Sequence, residues 1–309
     1  VNDIYRVNNL TFGPLYFIPK PVDPRLITEV SAAVAKAAIE SGVARTSITN
    51  WEEYKNSLMQ LLGQETVFTR KLHDTARLQP QRVVYAEGGH PSMMKAAVQA
   101  KAEGICFPIL LGNPDRINRQ AQRLKLDLTG IEIIDMRADK EQGRRATYAK
   151  HLAEKMARKG YTFQEAYDKM YERNYFGMMM VERGDADAFI TGLYTKYSNT
   201  IKVATEVVGV REGYHTFGTM HIVNSQKGTF YIADTLINRH PDNNYLVDIA
   251  RLSANTVEFF NEKPVMAMIS YSNFGTDEIG SPLKVHEAVE ELHANYPNLI
   301  VDGEMQVNF

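Results

Sequence analysis

The chain has 309 residues, 44% of them hydrophobic and 23% charged, with 35 Lys and Arg against 37 Asp and Glu and a formal net charge of −2. That length allows two domains or one large α/β domain with a sizeable core, and the near-neutral charge, free of long single-sign runs, offers no basic stripe for a nucleic acid. The one Cys, Cys106, forms no intramolecular disulfide and points to a reducing cytoplasm, and no apolar run approaches the roughly 18 residues of a membrane span.

Residues 1 to about 25 hold four prolines, at positions 14, 19, 21 and 24. Pro lacks an N–H and restricts the residue before it, so this stretch is expected to run extended over a surface. The Ala-rich segment 26–45 follows, with Leu26, Val30, Ala33, Val34, Ala37 and Ala38 on one helical face and Gly42 at its end. A second helix is expected behind Asn50 as N-cap, with Trp51, Tyr54, Leu58, Leu61 and Leu62 as its apolar stripe, and a third through ETVFTRKLHDTAR.

From residue 82 short apolar runs alternate with longer amphipathic segments, the pattern of βαβ units and a largely parallel sheet. Strands are expected at 82–88, 107–113, 131–136, 186–192, 265–272 and 299–305. Helices are expected over 91–104, 114–125, 139–159 and 163–184, and later in YLVDIARLSANTVEFFN and PLKVHEAVEELHANY. Residues 216–238 alternate like a hairpin with Gln226, Lys227 and Gly228 at its tip.

Neither a phosphate-cradling GxxxxGK nor a dinucleotide GxGxxG occurs, and the eight His residues are scattered singly, with no metal-ligating cluster. What remains is a set of strand ends, where ligands of open α/β sheets sit. AEGGHPS places two glycines before a helix, which suits an anion or a plain tight turn. TGLYTKYSNTIK gathers Thr195, Lys196, Tyr197, Ser198, Asn199 and Lys202, hydrogen-bonding groups and positive charge with no hydrophobic reason to be there; a ligand site and a solvated loop both remain open. SYSNFGTDEIGSP repeats the pattern with Ser272 and Asn273. Met178, Met179 and Met180 read as core filler, Cys106 as a buried thiol, and Arg144 and Arg145 as a solvated helix face. Asp187 and Asp302 read as loop caps, with no geometry for acid–base work.

The order and wording of AEGGHPSMMKAA, ILLGNPDRI, NYFGMMMVERGDADAFITG, YTKYSNTIKVATEVVG, GTFYIADTLIN, AMISYSNFGT and IVDGEMQV resemble the phosphotransacetylase (phosphate acetyl/butyryl transferase) family from about residue 80 onward. LTFGPLYFIPKPVDPRL with the following Ala-rich helix resembles the end of the catalytic region of large bacterial NADP-dependent malic enzymes, which carry a phosphotransacetylase-like domain. The resemblance implies a two-domain, three-layer αβα architecture with an inter-domain cleft, preceded by a helical linker. Residues 1–25 would be the tail of a malic enzyme catalytic region, 26–79 the linker, 80–213 the first domain and 214–309 an incomplete second domain through which a homo-oligomer, at least a dimer, assembles. Active members carry an Arg at the place of Lys202 and a run of small hydroxyls where Lys196 and Tyr197 stand, and their catalytic Ser, Arg and Asp lie further along than DGEMQV. No residue here is therefore expected to be catalytic. The resemblance implies instead an acetyl-CoA or related acyl-CoA site at Thr195, Lys196, Tyr197, Ser198, Asn199, Lys202, Ser272 and Asn273 that regulates a parent malic enzyme. That parent would use NADP and Mg or Mn in an upstream malic enzyme domain, with no cofactor in this segment. The alternative it leaves open is a working phosphate acetyltransferase.

Overall fold

The computed structural model describes residues 17–19, 23, 25–60, 64–225 and 228–308, in two compact units, one of residues 1–72 with 222–232 and one of 73–221 with 233–309. Most of the proline-rich stretch 1–25, together with Leu61, Leu62, Gln226 and Lys227, lies outside the described residues. In the first unit a helical turn, Leu26–Val30, leads directly into α1 (Ser31–Glu40), and Gly42 ends it with φ +75°. Asn50 caps α2 (Trp51–Gln60) as expected, its Oδ1 accepting from the Glu53 N–H at 3.1 Å. Helix α3 (Gln64–Leu78) follows. Strands β5 (Met220–Ser225) and β6 (Gly228–Ala233) form their own sheet, and with two residues between them they can only run antiparallel.

The second unit is built on a parallel sheet in the order β3-β2-β1-β4, from β1 (Gln81–Tyr85), β2 (Cys106–Leu111), β3 (Glu132–Ile134) and β4 (Ala188–Ile190). Successive side chains on a strand face opposite ways, so the apolar runs divide between two cores. Val84, Ile109, Leu111 and Ile134 enter one core with α6 (Gln142–Lys155), α7 (Phe163–Lys169), α8 (Arg173–Glu182) and α9 (Tyr197–Val207). Tyr85, Leu110 and Ile133 enter the other with α4 (Pro91–Ala102) and α5 (Pro114–Leu124). The result is a three-layer α/β arrangement, as the βαβ pattern predicts. A further parallel pair, β7 (Val265–Ile269) and β8 (Ile300–Met305), packs Val301 against Val247 and Ala250 of α10 (Asn243–Phe259) and Ala288 and Leu292 of α11 (Ser281–Asn295).

Several local expectations change. The segment 163–184 is two helices broken at 170–172, α7 opening on a capping box between Thr162 and Glu165 and ending as Met170 turns into the core. The segment 139–159 is α6 with single helical turns at both ends. Arg145 is buried, not solvated: its Nη1 donates to the carbonyls of Met136 and Ala138 at 2.6 and 2.8 Å, and its guanidinium lies 4.7 Å from the Tyr171 ring centroid. Cys106 and Met178–Met180 are buried as expected. Asp187 does more than cap a loop, binding the Arg82 guanidinium and backbone N–H and so fastening the start of β4 to β1.

Two contacts make testable demands. On α8, a Cβ built at Gly177 would lie 2.3 Å from Cε2 of Phe189 on β4, so this helix meets the sheet at van der Waals contact only because the residue is Gly. An exposed helical Gly→Ala gains up to ~1 kcal/mol, but overpacking a core costs about 1–3 kcal/mol. Gly177→Ala is expected to lower the thermal unfolding midpoint by several degrees, as read by calorimetry. Asp234, after β6, accepts from the Thr219 hydroxyl and from the backbone N–H groups of Thr219, Leu236 and Asn238. Burial works against its charge, but these donors outweigh burial and hold the carboxyl at about 2, below the ordinary 3.8. The stabilisation is therefore complete above pH 3.8 and fades as pH falls towards 2. Asp234→Asn is expected to cost about 1–3 kcal/mol in urea unfolding at neutral pH, a deficit that shrinks in acid.

Candidate functional site at the carboxyl ends of the parallel strands

The chain lays β2 and β3 down on one side of β1 and then crosses to place β4 on the other. From the carboxyl ends of β1 and β4 the chain leads to α4 and α9, which pack on opposite faces of the sheet, and such a switch of direction is where open α/β sheets place ligands. Glu87, just past β1, is 2% exposed, and its Oε1 accepts from the Thr191 hydroxyl at 3.1 Å and the Gly192 N–H at 3.2 Å. Thr191 Oγ1 also lies 3.0 Å from Asn174 Oδ1 in the first turn of α8, where Asn174 is itself buried. One hydroxyl proton cannot serve two acceptors; a half-turn of the Asn174 amide, placing Nδ2 against Thr191, satisfies both. Above these groups, Tyr194 meets the His90 ring edge-on at 5.5 Å and lies under Arg173 at 5.7 Å. Residues 191–194 are thus gripped from three elements.

Beyond Thr195 the loop is left open. Lys196 sits at the N-cap of α9 without a side-chain cap, and no hydrogen bond or ion pair engages the side chains of Lys196, Ser198 or Asn199 among the described residues. The Thr200 hydroxyl is buried and has no hydrogen-bond partner among the described residues. The Asn199 and Thr200 N–H groups already donate to the Lys196 carbonyl at 3.0 and 3.3 Å, so among the described residues the N–H groups of Tyr197 and Ser198, with the partial positive charge of the helix start, stay available beside Lys196. Tyr197 is 46% exposed, and burial together with the charge of Asp234 raises its phenol.

The rest of α9 is fixed. Lys155 Nζ reaches the carbonyls of Val207 and Val208 at its C-terminus as well as Glu182. Glu206 is buried and accepts the hydroxyls of Tyr161 and Tyr175 at 2.7 and 2.5 Å. Burial disfavours its charge, but the two hydroxyls, with Lys169 and Lys202, outweigh burial and lower its carboxyl, while burial and Glu206 push Tyr161 up to about 12. Lys202 Nζ lies 3.9 Å from Glu206 Oε1 with its side chain 65% exposed, so part of its charge is already shared within the helix.

The other two loops use most of their polar groups internally, the buried Ser270 hydroxyl and the second Glu87 oxygen being the exceptions among the described residues. At AEGGHPS, Gly88 lets the backbone approach β2, where a Cβ would stand 2.7 Å from Leu111 O, and the His90 ring caps α4 by accepting from Ser92 N–H at 3.2 Å. After β7, the Ser272 hydroxyl pairs with Thr276 at 2.7 Å and Asn273 Oδ1 accepts from Gln306 N–H at 2.7 Å. Beneath them Glu304 is fully buried, one oxygen accepting from Gly275 N–H at 2.6 Å and the other 3.4 Å from His286 Nδ1 without hydrogen-bond geometry. Burial works against its charge, but Gly275 and His286 outweigh it and the carboxyl is lowered. No hydrogen bond joins Ser272 or Asn273 to residues 195–202 among the described residues. Nor do the described residues hold a group of three or more His, Cys, Asp or Glu arranged for a metal.

Glu87, Asn174, Arg173 and Tyr194 escaped the sequence reading. Glu87 carried a signal, a carboxylate directly after an apolar strand that its pattern does not call for. Asn174 and Arg173 carried none, since only the break before α8 brings them to the strand ends.

Residues 67–309 match the family model described as phosphate acetyl/butaryl transferase. The NADP-dependent malic enzyme of Escherichia coli (strain K12) is 36% identical over 309 residues, 99% of this chain but 40% of that protein. The phosphate acetyltransferase of Salmonella typhimurium is 32% identical over 77% of this chain and 33% of its own length. Among solved structures, the EutD phosphotransacetylase from Staphylococcus aureus superposes with TM-score 0.68 at 26% identity, covering 77% of this chain and 72% of that one. The chain thus spans about two fifths of the malic enzymes it matches. It belongs to the phosphate acetyl/butaryl transferase family, as a phosphotransacetylase-like segment of the kind that NADP-dependent malic enzymes carry.

Proposed function

We propose that this chain is the regulatory and oligomerising portion of an NADP-dependent malic enzyme, and that it binds acetyl-CoA or a related acyl-CoA as an inhibitor. The parent enzyme would oxidatively decarboxylate malate to pyruvate in the cytoplasm, with NADP and Mg or Mn held upstream. Within this chain, residues 80–213 and 214–309 would be the two lobes of the phosphotransacetylase-like body, with a cleft between them, and 26–79 a linker. The observation that supports the ligand reading is the open first turn of α9, where Lys196 and the unengaged Ser198 and Asn199 stand at the switch point of the sheet. Acyl-CoA brings phosphates that suit Lys196, Lys202 and a helix N-terminus, and a pantetheine arm that suits the exposed Leu193, Tyr194 and Tyr197. Ser272 and Asn273 join this reading as the second strand-end loop. Coupling to a malic enzyme site requires that acyl-CoA favour one arrangement of the assembly over another.

Titration calorimetry of the full-length protein with acetyl-CoA is expected to show saturable binding. Lys196→Ala is expected to weaken it about tenfold, the scale of one charge-assisted hydrogen bond. No heat at millimolar ligand sinks this reading.

A second reading, acetyl exchange between CoA and phosphate, is favoured by the 32% identity to a phosphate acetyltransferase. The two separate in an assay of acetyl-CoA formed from acetyl phosphate and CoA. No turnover above a heat-denatured control is expected. Robust turnover abolished by Lys202→Ala would reverse the preference.

A further inference from the structure

We infer that Glu87 is the positioning residue of the ligand loop: by fixing residues 191 and 192 at the strand ends, it sets where Thr195–Asn199 stand when acyl-CoA binds. The inference rests on the acyl-CoA reading above and deepens it by naming what aims the loop.

A fully buried carboxylate is costly unless its oxygens are hydrogen-bonded, and the run before it, Val84, Tyr85 and Ala86, is apolar and buried, so packing alone calls for an apolar residue here. Glu87 stands here although, among the described residues, its second oxygen has no hydrogen-bond partner. What it provides is on the other oxygen: two donors, Thr191 Oγ1 and Gly192 N–H, both from the segment that links β4 to α9. β4 ends at Ile190, whose carbonyl accepts from Ala86 N–H at 2.9 Å, so Glu87 takes over the tie between the two strands where their ladder stops. Asn174 grips the same hydroxyl from α8. The tie ends at Gly192. His90 and Arg173 then hold Tyr194 from above, and the side chains from Lys196 to Asn199 are free of hydrogen bonds and ion pairs among the described residues. A rigid first half thus delivers an uncommitted second half. Lys155 and Glu206 hold α9 towards its C-terminal end, so its first turn, which has no side-chain cap, is held from the other side through the chain that leaves β4.

The test uses the full-length protein with Glu87→Gln, Glu87→Leu, Thr191→Val and the Leu/Val double variant. Two readouts are taken on each, acetyl-CoA affinity by calorimetry and amide hydrogen exchange by peptide. Gln keeps a carbonyl oxygen of the same reach, so Glu87→Gln is expected to bind within about threefold of wild type. Glu87→Leu is expected to lose about tenfold or more and to speed exchange across 191–199, while 81–85 and 106–111 stay protected. Thr191→Val is expected to lose affinity in the same direction, and the double variant to be no worse than Glu87→Leu, since both cut one tie. A folded Glu87→Leu protein that binds as well as wild type overturns the inference, as does Glu87→Gln failing as badly as Leu. If Glu87→Leu does not fold, Glu87→Gln and Thr191→Val decide: additive, affinity-neutral effects on stability alone overturn it. Wild type that binds no acetyl-CoA sinks the acyl-CoA reading instead. Exchange then remains the test of the anchor, and unchanged exchange at 191–199 in Glu87→Leu overturns it.

Discussion

The pairing of β1 with β2 on one side and β4 on the other is the constraint from which the rest of the second unit follows. Because all four strands are parallel, each connection must cross a face of the sheet, and both faces become covered by helices. Because the chain reverses its direction of travel at β1, the loops after β1 and β4 meet through Glu87, Thr191 and Gly192 before leading to helices on opposite faces of the sheet. Two contacts keep that point tight: Gly88 lies against the backbone of β2, and Gly177 brings α8 onto Phe189 of β4. A side chain at either place would push apart the elements packed there.

The electrostatics of α9 follow from its mounting. Its C-terminal carbonyls receive the Lys155 ammonium, the partner a helix dipole favours there, and Glu206 is held by two tyrosine hydroxyls in the interior. With those ends satisfied, the remaining unbalanced charge is at the opposite terminus, where Lys196 adds to the dipole. Lys202 differs: it leans towards Glu206 and reaches a ligand only by leaving a partial partner. An Arg in its place would present a planar fork, whereas this Lys offers a point charge.

The three strand-end loops that look alike as strings of Gly, Ser and Asn behave differently once folded. The loop after β1 spends its glycines on close packing and its His on a helix cap. The loop after β7 closes on itself through Ser272, Thr276, Asn273 and Gln306. Among the described residues, the loop after β4 leaves neighbouring polar side chains, Lys196, Ser198 and Asn199, without hydrogen bonds or ion pairs. Polarity at a strand end therefore marks a place where hydrogen bonds are needed, and whether they are internal or offered outward depends on which groups the neighbouring elements bring.

Hydrophobic periodicity and residue type determined the parallel α/β class, the chain order of the strands and of most helices, the buried state of Cys106 and Met178–Met180, and the cap at Asn50, because each depends on residues within one turn or one strand of each other. The motif order also pointed to the family. Tertiary structure decided what periodicity cannot encode. Arg145 is buried because Tyr167 and Tyr171, more than twenty residues away, fold over it while two carbonyls accept its protons. The break at 170–172 carries no local mark, yet it sets Arg173 and Asn174 at the strand ends. Glu87 finds its donors about a hundred residues further along the chain. Burial of a polar group is stable only when a distant element supplies its partner, so its role stays invisible until the sheet has brought both together.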